Sequence, residues 1–90
     1  MNFIKRLERN IEKKEKVIEK DKMKIDEIKE KLDKHLITRA EYNLKKKKIE
    51  EKIRAMDARI RVLQGGITKE KKHQEEKERK KREEKTKKDN

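Results

Sequence analysis

The chain has 90 residues, of which 58% are charged and only 28% are hydrophobic. A chain of this size forms one small domain at most, and so few apolar side chains leave little interior for a catalytic site or a small-molecule pocket. The 32 Lys and Arg residues outnumber the 20 Asp and Glu residues, and the net charge of +12 attracts polyanions such as nucleic acid, anionic lipid or acidic protein. Because cysteine is absent, disulfides and thiolate metal sites are excluded.

The first predicted element is a long helix over about residues 3–34. Apolar residues recur there at every seventh position, with Leu7 and Ile28 at the intermediate spacing, which is the pattern of a coiled-coil seam. Lys14 and Asp21 also occupy seam positions, so we expect the middle of the seam to be polar. The seven-residue series consists of Ile4, Ile11, Ile18, Ile25 and Leu32.

A short turn follows the first helix. Thr38 and Glu41 form a capping box, in which the threonine oxygen accepts the amide of Glu41 and the glutamate reaches back to the amide of Thr38. A second helix is therefore expected to begin at about Arg39. The connection is only about 4 residues long, a length that joins antiparallel neighbours.

The second predicted helix covers about residues 39–64 and has its own heptad pattern. We expect the adjacent pair Gly65-Gly66 to end it, because glycine is a common helix C-terminal signal. One seam series contains Tyr42, Ile49, Met56 and Leu63, and the other includes Ile53 and Ile60.

Folding the chain at position 36 or 37 matches the two seams along their length. The predicted fold is therefore all-α, a long antiparallel two-helix hairpin over residues 1–67 that resembles a coiled coil. The match pairs Ile25 with Ile49, Ile18 with Met56, and Ile11 with Leu63.

Residues 68–90 form a Lys/Glu-rich segment without an apolar side chain. Its eleven basic and seven acidic residues give it a charge of +4. Interleaved Lys and Glu support a solvated helix, but a helix without tertiary contacts frays. We therefore predict a basic tail that is partly helical or disordered in isolation.

Residues 32–46 contain a leucine, a turn, Ile37-Thr38, and then Glu41-Tyr42 followed by lysines. This stretch resembles the short C-terminal domain (SHOCT) family, although His35-Leu36 stands where that family usually has a glycine. The resemblance implies a helical hairpin used in assembly and no catalytic role.

The sequence contains no motif that suggests chemistry or membrane insertion. His35 and His73 lie in different segments, and Gly65-Gly66 lacks the spacing of a phosphate-binding loop. No uncharged stretch approaches the ~20 residues of a membrane span, and the N-terminus lacks a signal-peptide pattern. We expect a cytoplasmic protein that is not an enzyme and that has no catalytic residues, cofactor, metal or small-molecule substrate.

The basic residues of the second helix and the tail are candidate phosphate ligands. Arginine forks and flexible lysines suit phosphate oxygens, whereas two aromatic residues are too few for base stacking. The same charges would also solvate a coiled coil. The candidate nucleic-acid-binding residues are Lys45, Lys47, Lys48, Lys52, Arg54, Arg59, Arg61, Lys69, Lys71, Lys72, Arg79 and Arg82.

Three functions remain open. The favoured one is a structural RNA-binding protein associated with the ribosome, with ribosomal RNA as the partner, since the chain resembles small Lys/Glu-rich archaeal ribosomal accessory proteins in size and charge. The abundance of Lys, Glu and Ile suggests a thermophile. The second is an assembly module that forms a homodimer or binds another helical protein, with Lys14 and Asp21 setting the register. A DNA-binding accessory factor is the third, although no recognition-helix pattern is visible.

Overall fold

The protein is an all-α helical hairpin. The computed structural model describes the backbone of residues 2–88 and the side chains of residues 2–84; Met1, Asp89 and Asn90 lie outside the described residues. Two helices, α1 (Phe3–Asp33) and α2 (Arg39–Lys88), pack antiparallel in a rod of 80 × 19 × 15 Å. The all-α hairpin predicted from the heptad pattern is confirmed.

Helix α1 begins with a side-chain cap and buries one stripe. Asn2 has an extended backbone, and its Oδ1 accepts a hydrogen bond from the Ile4 amide at 3.0 Å. Ile11 and Ile18 form the buried core together with Ile60 of α2, and further α2 side chains pack against them. All thirteen predicted seam residues are buried or half-buried.

The turn between the helices closes α1 with a left-handed residue. His35 has a φ of 60°, and the amides of His35 and Leu36 donate to the carbonyls of Leu32 and Lys31 at 3.0 and 2.8 Å. This is the Schellman arrangement, in which glycine is the usual residue at the left-handed position. At the start of α2, Thr38 Oγ1 accepts a hydrogen bond from the Glu41 amide at 3.1 Å, the first of the two capping-box bonds predicted there.

Two contacts between the helices define their register. Leu7 Cδ1 lies 3.4 Å from the position of a Cβ built on Gly66, and Lys52 Nζ lies 3.4 Å from Asp21 Oδ1. Both pairs are centred between residues 36 and 37, where folding of the chain was predicted.

The prediction that Gly65-Gly66 ends the second helix is wrong. Helix α2 continues through both glycines to Lys88, and neither glycine has a positive φ. Gly66 faces Leu7, and residues on both sides of the glycines pack on α1: Leu63 and Ile67 contact the core. This packing offsets the cost of roughly 1 kcal/mol that each glycine adds inside a helix. Gly66 therefore lies in the helix–helix interface, whereas Gly65 is an exposed position inside the same helix.

The predicted tail is helical in its described part. Residues 68–88 continue α2, and every side chain from 71 to 84 is exposed. We call residues 71–88 the extension. Since glutamates precede basic residues by four positions at several places, such as Glu75 and Arg79, side-chain pairs can support this helix without a core.

Glycine substitutions test where the chain is helical. Gly65→Ala is expected to raise the free energy of unfolding by about 1 kcal/mol, because residue 65 is inside a helix and a Cβ there meets no atom within 4 Å. Thermal unfolding followed by circular dichroism measures the change. Destabilisation of similar size would mean that Gly65 ends a helix.

The opposite substitution is expected to stabilise the turn. His35→Gly relieves a left-handed conformation that costs a residue with a side chain about 1–2 kcal/mol, and the greater freedom of glycine in the unfolded chain offsets part of the gain. We expect a net stabilisation of about 1 kcal/mol in urea unfolding. Leu36→Gly, one residue later, is the control and is expected to give no such gain.

Candidate nucleic-acid interface

The hairpin has two long lateral faces, one on each side of the seam. On one of them, Lys24 and Ile28 of α1 line a shallow groove with Lys45 and Ile49 of α2. Heptad geometry extends this face along both helices. We call it the basic face; it consists of residues 3, 6, 10, 13, 17, 20, 24, 27 and 31 of α1 and residues 45, 48, 52, 55, 59, 62, 66 and 69 of α2.

The basic face carries almost only positive charge. It contains ten basic side chains, five from each helix, and one acidic side chain, Glu27. Neighbouring charges of one sign along a rigid surface add to a strong positive potential. The basic residues are Arg6, Lys13, Lys20, Lys24 and Lys31 of α1 and Lys45, Lys48, Lys52, Arg59 and Lys69 of α2.

The opposite lateral face, which we call the mixed face, has a different balance. It consists of residues 5, 8, 12, 15, 19, 22, 26, 29 and 33 of α1 and residues 43, 47, 50, 54, 57, 61, 64 and 68 of α2. Six basic and eight acidic side chains lie there. Positive charge is therefore concentrated on one side of the seam, and most of the acidic side chains of the two faces lie on the other.

The basic face is long, and small residues interrupt its basic side chains on α2. From Arg6 to Lys31 it runs about 38 Å along α1, at 1.5 Å per residue. On α2, the small residues Ala55, Val62 and Gly66 separate the basic side chains. A polymer backbone can approach closely at these positions.

One buried carboxylate lies in the seam, next to the middle of the basic face. Asp21 is 2% exposed, and its Oδ1 is 3.4 Å from Lys52 Nζ of α2 and 3.7 Å from Lys24 Nζ of α1. Its Oδ2 is buried and has no hydrogen-bond partner. Asp21 is thus one of the two polar seam residues that the heptad pattern predicted, with Lys14, and it bridges both helices.

The structure divides the predicted nucleic-acid-binding residues into three groups. Five of them, Lys45, Lys48, Lys52, Arg59 and Lys69, lie on the basic face. Lys47, Arg54 and Arg61 lie on the mixed face near Glu50 and Asp57. The remaining four, Lys71, Lys72, Arg79 and Arg82, lie on the extension.

Sequence reasoning missed the contribution of α1 to this face. Lysine and glutamate alternate along α1, so the sequence suggests that positive and negative charges are spread evenly around the helix. The uneven distribution of charge becomes visible when residues are grouped by heptad position. The acidic residues concentrate at two of the solvent-facing positions, and the basic residues concentrate at two others. Reading charge by heptad position would have found the α1 residues Arg6, Lys13, Lys20, Lys24 and Lys31.

Aromatic residues make no continuous platform on this surface. Phe3 lies at one end of the basic face and is 52% exposed. Tyr42 is half-buried in the seam, with Lys46 Nζ 5.7 Å from its ring centre. The face therefore offers cations and hydrocarbon to a ligand, without a row of rings for bases to stack on.

An apolar stripe runs along the outer side of α2. Leu44, Ala55, Ala58 and Val62 are all exposed, and Val62 reaches 75% exposure. Among the described side chains, those of residues 2–84, no group of His, Asp or Glu has an arrangement that would hold a metal ion. Neither described helix is both long and apolar enough to cross a membrane.

No protein family model, no curated protein and no solved structure matches this chain. The resemblance of residues 32–46 to the SHOCT family therefore stays a hypothesis about the turn. A proposal about function therefore rests on the geometry and charge of the hairpin.

Proposed function

We propose that the protein is a non-catalytic RNA-binding protein whose basic face contacts the sugar–phosphate backbone. The observation that carries the proposal is the sorting of charge across the seam, with ten basic and one acidic side chain on one face against six and eight on the other. Charges that only solvate a hairpin need no such asymmetry, and the mixed face shows what an interleaved surface looks like. A polyanion is the ligand that the basic face fits.

The backbone is the part of RNA that this surface is suited to bind. Lysine and arginine contact phosphate oxygens without reading the bases, and such contacts respond to shape and salt. The face is straight for about 38 Å and has no stacking platform, which favours a rigid, double-helical stretch of RNA over a single strand. The extension adds basic residues beyond the hairpin, including Lys72 and Arg79.

An RNA-rich particle is the proposed setting. A hairpin of this kind buries each helix on one stripe only, and a large RNA surface would complete the burial and neutralise a net charge of +12. Ribosomal RNA in the cytoplasm is the partner we favour.

The exposed apolar stripe of α2 supports a second candidate function. Leu44 is 58% and Val62 75% exposed, and a helix from another protein or a second copy would cover them. An assembly module of this type would self-associate or bind a helical protein, and it would not need the charges of the basic face.

Two matched triple variants test the RNA proposal. Lys45→Gln, Lys48→Gln and Arg59→Gln remove three charges from the basic face, and Lys47→Gln, Arg54→Gln and Arg61→Gln remove three from the mixed face. The first set is expected to weaken binding to a labelled RNA duplex at least ~10-fold near 0.1 M salt and to lower the salt slope by about 2–3, because each of the three lost phosphate contacts lowers it by ~0.7–0.9. The second set is expected to change affinity less than ~3-fold. Fluorescence anisotropy over a salt series measures both quantities.

Sedimentation velocity of the same variants provides the control for folding and assembly. Equal losses from both faces would show that net charge alone matters. If the wild-type chain binds no RNA and sediments as an oligomer, the assembly function replaces the proposal.

A further inference from the structure

Packing alone does not explain why an aspartate is buried at position 21. Its carboxylate is 2% exposed in a seam of isoleucines, and one of its oxygens has no hydrogen-bond partner. A buried ion pair of this kind is often no more stabilising than apolar residues of similar volume. An apolar residue at position 21 would continue the seam that Ile18 and Ile25 form on either side.

Asp21 holds two ammonium groups that belong to different helices. Lys52 Nζ is 3.4 Å and Lys24 Nζ 3.7 Å from the same oxygen, so that the two nitrogens are no more than about 7 Å apart. Both lysine side chains remain half exposed, at 50% and 58%. The carboxylate thus brings together two like charges that would otherwise repel each other, and it leaves each of them open to solvent.

We propose that Lys24 and Lys52 form a phosphate subsite at the centre of the basic face and that Asp21 is its positioning residue. An ammonium has three N–H donors, so Lys52 can donate to Asp21 and still donate outward, and Lys24, an ion-pair partner of the same oxygen, can donate outward as well. One phosphate group can accept from both lysines and bridge the two helices. A pre-positioned pair loses less side-chain entropy on binding than two free lysines do. The inference rests on the proposed RNA-binding function.

The direction in which a substitution changes RNA affinity shows whether Asp21 positions the lysines or only lowers the total charge. Removing a negative charge from a basic face strengthens binding of a polyanion if only the total charge matters. Removing the carboxylate of Asp21 also releases the lysine pair, which weakens binding if positioning matters. Glu27, the one acidic residue of the basic face itself, is exposed and lines the groove beside Lys24, so it provides the matched control.

The test compares Asp21→Asn and Glu27→Gln in the full chain. We expect Asp21→Asn to bind the RNA duplex about 3–10-fold more weakly than the wild type and Glu27→Gln to bind up to about 3-fold more tightly. Asp21→Leu serves as a second variant, because leucine continues the apolar seam and keeps the hairpin folded, and it is expected to weaken binding as asparagine does. Circular dichroism confirms the helix content of each variant. Tighter binding by both Asp21 variants would overturn the proposal.

A titration with inorganic phosphate tests the subsite without RNA. In the ¹⁵N-labelled chain, the ammonium signals of Lys24 and Lys52 are expected to shift more than those of Lys13 and Lys20, and the difference is expected to vanish in Asp21→Leu. Uniform shifts of all lysines would contradict the subsite. If phosphate selects the pair but no RNA binds, the RNA function fails and the subsite stands. If RNA binds but the Asp21 variants tighten, the subsite fails and the RNA function stands.

Discussion

The seven-residue repeat of apolar side chains is the constraint on which the rest of this structure depends. Each helix buries one stripe against the other, with Ile11, Ile18 and Ile60 at the core, and nearly all other side chains stay in water. Because a two-helix hairpin has no second layer, most of the chain's 52 charged residues must lie on its surface. The heptad positions of these residues then determine how positive and negative charge are distributed over the surface.

The charge distribution differs between the two lateral faces, and the proposed function is based on this difference. Bases at two heptad positions of each helix meet across the seam on the basic face, and acids concentrate on the mixed face. Asp21 connects the buried seam with the charged surface, because it is a seam residue whose carboxylate contacts lysines of the basic face. In the proposed site, stability and ligand binding would compete at this residue, because the apolar seam gives up one position to it.

Local signals predicted much of the fold, and tertiary contacts explain what they missed. The heptads and the Thr38 cap were sufficient for two antiparallel helices and their register. Gly65-Gly66 was misread because a glycine pair signals a helix end only when no packing continues beyond it, and here Leu7 packs on Gly66. The basic residues of α2 were visible as stripes, but their partners on α1 required the pairing of the two helices. Lys52 was predicted as a phosphate ligand; its contact with Asp21 depends on the three-dimensional register.

Mapping the proposed RNA contact with single thiols tests the central claim most directly, since the chain has no cysteine of its own. Val62→Cys places a thiol on the basic face, and Gln64→Cys places one at almost the same height on the mixed face; both positions are exposed. The rate of thiol alkylation is measured with and without an RNA duplex. The account predicts that RNA slows alkylation at position 62 several-fold and leaves position 64 nearly unchanged. Equal protection at both positions, or protection at 64 alone, would contradict it.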